Sequence, residues 1–348
     1  MNTEIHYLNE NSIDLDRIDR AADIIRNNGT VVFPTETVYG LGANALSGEA
    51  VKGIFKAKGR PSDNPLIVHI SSMNMLFYLI GSPLSDGAML LIEKYWPGPL
   101  TLIFKKSGKV PYEVTAGLDT VAVRMPDNKI ALELIKRSEL PIAAPSANLS
   151  GKPSPTLPEH AIDDMQGRVD MILCGSKSRI GVESTVLDLS GEKPVVLRPG
   201  GVTLEELESI LGPVEFDRGS VSEAEIPKAP GMKYTHYAPD ADMIIVRGEL
   251  DSIRNKIQEL VSEKTAKGYK VGVLASDETE SYYQGCRVLS LGSRTNTEII
   301  ASNVFEKLRE FDKLGVDIIF AEALDEKHMG MAVMNRMKKA AGFNIIEV

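Results

Sequence analysis

One stretch of this chain, DRGSVSEAEIPKAPGMKYTHYAPD at 217–240, carries three prolines and two glycines and follows neither a helical nor a strand period. On both sides of it, short β-rich runs alternate with amphipathic segments. A patternless interruption of that kind separates two cores, and 348 residues exceed one typical core. The expected organisation is a first domain over 1–212, a linker over 213–240 and a second domain over 241–348.

In the first block, SIDLDRIDRAADIIRNNG sets Leu15, Ile18, Ala22 and Ile25 at helical steps, with Ser12 as cap and Gly29 as stop. TVVFP, PLIVHI, LTLIF, VAVRM, PIAAPSA and MILCG read as strands. Helices are expected from about Glu49 to Lys58 and over SDGAMLLIEKYW. STVLDLS and PVVLRPG form a hairpin, and Thr203 and Glu206 stand at capping-box spacing. The pattern is α/β or α+β. Beyond the linker, MIIVRG, KVGVLAS, CRVLSLG and VDIIFAE alternate with helices near 250–267, 296–314 and 331–341, a βαβ-type domain.

With 39 basic against 48 acidic residues the chain has no general field for a nucleic-acid backbone, so any anion site must be local. Cys174 and Cys286 lack neighbours at metal-ligand spacing and read as buried thiols. The amino terminus is polar and acidic, unlike a signal peptide, and no apolar run approaches the roughly 18 residues needed to span a bilayer. The cytoplasm is the expected location.

FKAKGRPSDN, at 55–64, is the local candidate. Lys52, Lys56 and Arg60 recur at a spacing of four, which ordinarily marks a solvated helix face. Gly59 and Pro61 end the helix near Lys58. Lys58 and Arg60, two apart in extended chain, then converge on one polyanion, with Asn64 just beyond. PIAAPSANLSGKPSPT supplies hydroxyls and amides: Ser146 and Asn148 repeat the two-residue spacing, and Ser154 and Thr156 follow in a loop fixed by prolines. In FPTETVYGLGANA, Thr35 and Thr37 flank Glu36 after a strand. Its GLGANA is no dinucleotide turn, because Pro34 and five more residues precede Gly40 and the helix begins only after Ser47. SGKP at 150–153 is no P-loop either. Arg124, at a strand end, suits a carboxylate or phosphate, or else a surface ion pair. His69 reads as a structural histidine, raised by its closeness to Arg60.

PTETVYGLG, KAKGRP with DNPLIVHI, WPGPLTLIF, VAVRMPD, APSANLSG and ESTVLD, in this order, resemble the YrdC-like domain of L-threonylcarbamoyladenylate synthases. That family's K-x-R and S-x-N signatures stand here as Lys58, Arg60, Ser146 and Asn148. The tail resembles the long form, in which a linker carrying APGMKYTHYAP leads to a smaller Rossmann-like α/β domain. The resemblance implies a YrdC-like twisted mixed sheet with flanking helices. It also implies a nucleotidyltransferase that joins L-threonine, bicarbonate or CO2, and ATP into threonylcarbamoyl-AMP, releasing pyrophosphate. Other proteins then transfer the product to tRNA as N6-threonylcarbamoyladenosine, so neither direct tRNA binding nor a membrane is expected.

Carried over residue by residue, Thr37, His69, Arg124, the Ala144 backbone and Ser184 hold threonine. Arg60, Asn64, Thr120, Ser146, Ser154, Arg198 and Tyr237 hold ATP, and Lys58, Arg60, Ser146 and Asn148 form the catalytic signature. Mg2+ arrives on the ATP phosphates rather than in a protein cage, and the linker is expected to close over the site as a lid. The rival readings are an RNA-binding module without catalysis, which the acidic balance opposes, and a carbamoyl-transfer enzyme, whose zinc-binding cysteine pairs are missing from this sequence.

Overall fold

A computed structural model describes residues 1–217, 227 and 237–348. Of the expected lid, residues 213–217, 227 and 237–240 are described, and the rest, including the first four residues of its KYTHY run, lies outside the described residues. The chain divides into two compact units. The first holds 1–150, 155–179 and the chain from Glu183 into the linker, and the second holds 151–154, 180–182 and the chain from the end of the linker to Val348.

The first unit is built on an eleven-stranded mixed sheet. In chain order its strands are β1 (Glu4–Tyr7), β2 (Val31–Phe33), β3 (Gly40–Asn44), β4 (Ile67–His69), β5 (Leu100–Lys105), β6 (Thr120–Arg124), β7 (Ile142–Ala143), β8 (Met171–Cys174), β9 (Thr185–Asp188), β10 (Val195–Arg198) and β11 (Glu215–Phe216). Across the sheet they run β1-β8-β2-β3-β7-β4-β6-β5-β9-β10-β11. The second unit carries β12 (Asp242–Arg247), β13 (Val271–Ala275), β14 (Arg287–Ser290), β15 (Ile318–Glu322) and β16 (Ile345–Glu347), all parallel, in the order β14-β13-β15-β12-β16. Its helices Leu250–Ala266, Thr297–Leu314 and Met329–Ala340 supply the crossovers that parallel strands require.

Side chains alternate across a strand, so paired residues share a face. The larger core lies on the face of the first sheet that bears Val32, Leu41, Val68, Leu102 and Val123. On the opposite face, helices Leu15–Arg26 and Lys129–Ser138 cover Val31, Phe33, Ile142 and Ala144. Farther along that face lies a smaller apolar group of Ile67, Ile103, Ala122, Val186 and Leu197. Among the described residues, no helix is long and apolar enough to cross a membrane.

Two sequence expectations need correction. Asp14, not Ser12, caps the first helix by accepting from the Arg17 amide, because the helix begins at Leu15 and the cap is the residue directly before it. The helix ends at Arg26, and Asn28, not Gly29, takes the left-handed conformation at φ 63°. By contrast, Ser47 caps Gly48–Lys58, Gly59 closes that helix at φ 64°, and the Thr203–Glu206 capping box is fully formed.

Candidate active site

Strand alternation gathers the residues singled out from sequence on one face. His69 pairs with Arg124 across β4 and β6, and with Ile142 across β4 and β7. Counting in twos from these pairs puts Thr120, Ala122 and Arg124, then Ala144 and Ser146, on the same side as His69. Ser184 and Arg198 join them, since Val186 pairs with both Thr101 and Arg198. The geometry confirms this: the Ser184 and Thr101 hydroxyls lie 2.7 Å apart, and Arg198 donates to the Ser184 carbonyl at 2.9 Å and to its hydroxyl at 3.2 Å.

β3 carries glycines here for a packing reason. A Cβ on Gly42 would stand 2.6 Å from Ile142 Cγ2 and 2.7 Å from Phe33 Cε1. Bare backbone lets the Phe33 ring lie across β3 and meet His69 edge-on at 6.0 Å. GLGAN is therefore a strand, which bears out the rejection of a dinucleotide turn.

His69 Nδ1 lies 3.2 Å from the Ile67 carbonyl oxygen. Burial, and then the charge of Arg124, push its pKa down to about 3, so the imidazole is neutral at physiological pH. Arg124 is buried as well. It donates to Thr37 Oγ1 at 2.9 Å and to the Gly98 carbonyl at 3.2 Å, and it meets Glu36 Oε2 at 2.6 Å. In place of the surface ion pair, Arg124 makes a buried pair with a glutamate. Glu36 is the site residue that the sequence reading quoted without giving it a role. Its signal was a carboxylate between two threonines, but its partner lies far along the chain.

The catalytic signature is arranged differently from the expectation. Lys58 is the last residue of the helix, not part of an extended segment, so it does not point alongside Arg60. Its ammonium instead reaches the carbonyls of Ser146 and Asn148 at 2.5 and 2.7 Å and Asn148 Oδ1 at 3.3 Å, while Ser146 Oγ donates to Asn148 Oδ1 at 2.5 Å. The lysine fixes the S-x-N loop against the helix end. Arg60 follows Gly59 half-buried, and its amide bonds the Phe55 carbonyl. Asn64 is fully buried, and its Oδ1 accepts no hydrogen bond from the described residues. Ser154 and Tyr237 belong to the second unit, where Tyr237 packs on Phe305 with ring centroids 5.0 Å apart.

The family model described as Telomere recombination, Sua5_yciO_yrdC, matches residues 23–200, and that of the threonylcarbamoyl-AMP synthase C-terminal domain matches residues 202–342. The threonylcarbamoyl-AMP synthase of Pyrococcus abyssi is 51% identical over 336 residues, covering 95% of this chain and 96% of that protein. The Bacillus subtilis threonylcarbamoyl-AMP synthase is 50% identical over 331 residues, covering 95% and 94%. Among solved structures, P. abyssi Sua5 complexed with L-threonine matches with a TM-score of 0.93 at 51% identity, covering 99% of this chain and 100% of that one. E. coli YciO matches with a TM-score of 0.51 at 26% identity over 57% of this chain and 96% of its own.

Proposed function

The chain belongs to the Sua5/YrdC family of threonylcarbamoyl-AMP synthases, and from that membership we infer that it joins L-threonine, bicarbonate or CO2, and ATP into threonylcarbamoyl-AMP and pyrophosphate. The observation that carries this reading is the single sheet face bearing His69, Arg124, Ser146, Ser184 and Arg198. Hydroxyls and guanidinium groups gathered there suit an amino acid beside a polyphosphate.

The amine of threonine takes up CO2 to give a carbamate, and a carbamate oxygen attacks the α-phosphorus while pyrophosphate leaves. The chemistry calls for no protein nucleophile, so positioning and charge neutralisation carry the step. In this reading Arg124, Thr37, His69, Ser184 and the Ala144 backbone cradle threonine. Arg60, Asn64, Thr120, Ser146 and Arg198 hold ATP, and the orphan Asn64 Oδ1 suits an N–H or O–H donor of the nucleotide. Lys58 acts by holding Ser146 and Asn148 in place.

Lys52, Lys56 and Arg60 line one pocket, a cationic setting that fits phosphate oxygens that bring their own metal. Mg2+, when bound, neutralises the triphosphate through phosphate and water ligands. The product feeds N6-threonylcarbamoyladenosine formation in tRNA, carried out by a separate transferase, and the supply of ATP and the destination of the product point to the cytoplasm.

The test is an incubation with ATP, Mg2+, bicarbonate and a panel of amino acids, following pyrophosphate. Release that depends on threonine is expected; release indifferent to the amino acid, or none with threonine, refutes the reading.

A further inference from the structure

We propose that Glu36 binds the ammonium group of the amino-acid substrate, making the buried Glu36–Arg124 pair a two-pole receptor for a zwitterion. This rests on the synthase reading and names the residue that recognises the amine.

A carboxylate taken out of water needs paired charge and several hydrogen bonds. Glu36 has only part of this. Its side chain is 2% exposed and meets Arg124 at 2.6 Å, yet neither of its oxygens accepts an aligned hydrogen bond from the described residues. Most buried acceptors are satisfied, so Oε1, which lacks even the arginine contact that Oε2 has, points to a missing donor.

No described neighbour supplies it. Thr35 Oγ1 accepts from the Thr37 and Val38 amides, lies 2.9 Å from Thr37 Oγ1 and donates to the Val38 carbonyl at 2.6 Å. The Thr37 hydroxyl accepts from Arg124 and lies against Thr35 Oγ1, whose own proton goes to the Val38 carbonyl. His69 is neutral beside them and adds no second cation. The pocket thus presents one fixed positive and one fixed negative group side by side. An amino acid at neutral pH carries the complementary pair, its carboxylate for Arg124 and its ammonium for Glu36. Holding that nitrogen fixes the atom at which the carbamate forms.

The test measures, by calorimetry on the full chain, the affinity for L-threonine and for 2,3-dihydroxybutanoate, which has a hydroxyl in place of the ammonium. Wild-type protein should prefer threonine by roughly tenfold to a hundredfold, the effect of one charge-assisted hydrogen bond. Glu36→Gln should abolish the preference, weakening threonine by that factor while holding the analogue within about threefold. A variant that weakens both ligands equally shows Glu36 merely aligning Arg124 and overturns the proposal, as does unchanged threonine affinity. Should Glu36→Gln not fold, the wild-type comparison decides alone, because equal affinity for the two ligands refutes an ammonium contact. Failure of wild-type protein to bind threonine at all would instead overturn the synthase reading itself.

Discussion

In the second unit, Glu322 ends β15 beside Arg294; in the first, Glu36 precedes β3 beside Arg124. Both glutamates are buried, and each meets its arginine at an ion-pair distance, 2.8 Å for Glu322 and 2.6 Å for Glu36. Their hydrogen bonding differs. Glu322 receives the Tyr283 hydroxyl on one oxygen, and the Ser276 hydroxyl and Arg294 on the other, so its acceptors are filled from within the unit. Arg294 also bonds Ser276 Oγ and the Ala323 carbonyl. At the carboxyl ends of parallel strands, where open α/β sheets usually bind ligands, this unit has tied its polar groups to one another. Glu36 keeps open valence in an equally buried place. A satisfied buried pair holds a fold together, whereas an unsatisfied one stores an attraction for something else.

The largest expected effect tests the closed pair. Arg294→Ala strands a buried Glu322 carboxylate, and the second unit should lose about 3–5 kcal/mol in denaturant unfolding while threonine affinity stays at the wild-type level. A loss under about 1 kcal/mol would remove the structural role. Next is the open pair. Arg124→Lys keeps the charge but not the fork, and threonine affinity should fall by roughly tenfold to a hundredfold, or about 1.5–3 kcal/mol. Unchanged affinity by calorimetry would erase the contrast between the two units. The smallest effect at neutral pH comes from His69, whose pKa is about 3 in the folded chain against an ordinary 6.5. Below pH 6.5 the unfolded chain binds a proton that the folded chain refuses, so stability present above 6.5 is lost as pH falls towards 3, at roughly 1.4 kcal/mol per pH unit. His69→Gln should remove that slope, and parallel stability profiles for the two proteins would show that the imidazole is not kept neutral by the site.

Where local chemistry decides structure, the sequence was readable. Ser47, Gly59 and the Thr203–Glu206 box mark helix ends at which each residue satisfies its own backbone. The short edge strands β1 and β16 carry no such mark, because a half-exposed edge needs no alternating apolar pattern. Lys129–Ser138 is a plainer omission, since Ile130, Ala131, Leu134 and Ile135 recur at helical spacing behind Asn128 as cap. Motif residues of the site were legible as types, but their partners were not. Lys58 turning onto two carbonyls and Glu36 meeting Arg124 both depend on segments brought together by the sheet order.

The central claim is that one face of the first sheet receives the amino acid. A crystal structure of this chain with L-threonine tests it most directly: the account predicts density on that face, with the carboxylate at Arg124 and the nitrogen within hydrogen-bonding distance of Glu36. Threonine bound elsewhere, with the Glu36–Arg124 pair untouched, would contradict it.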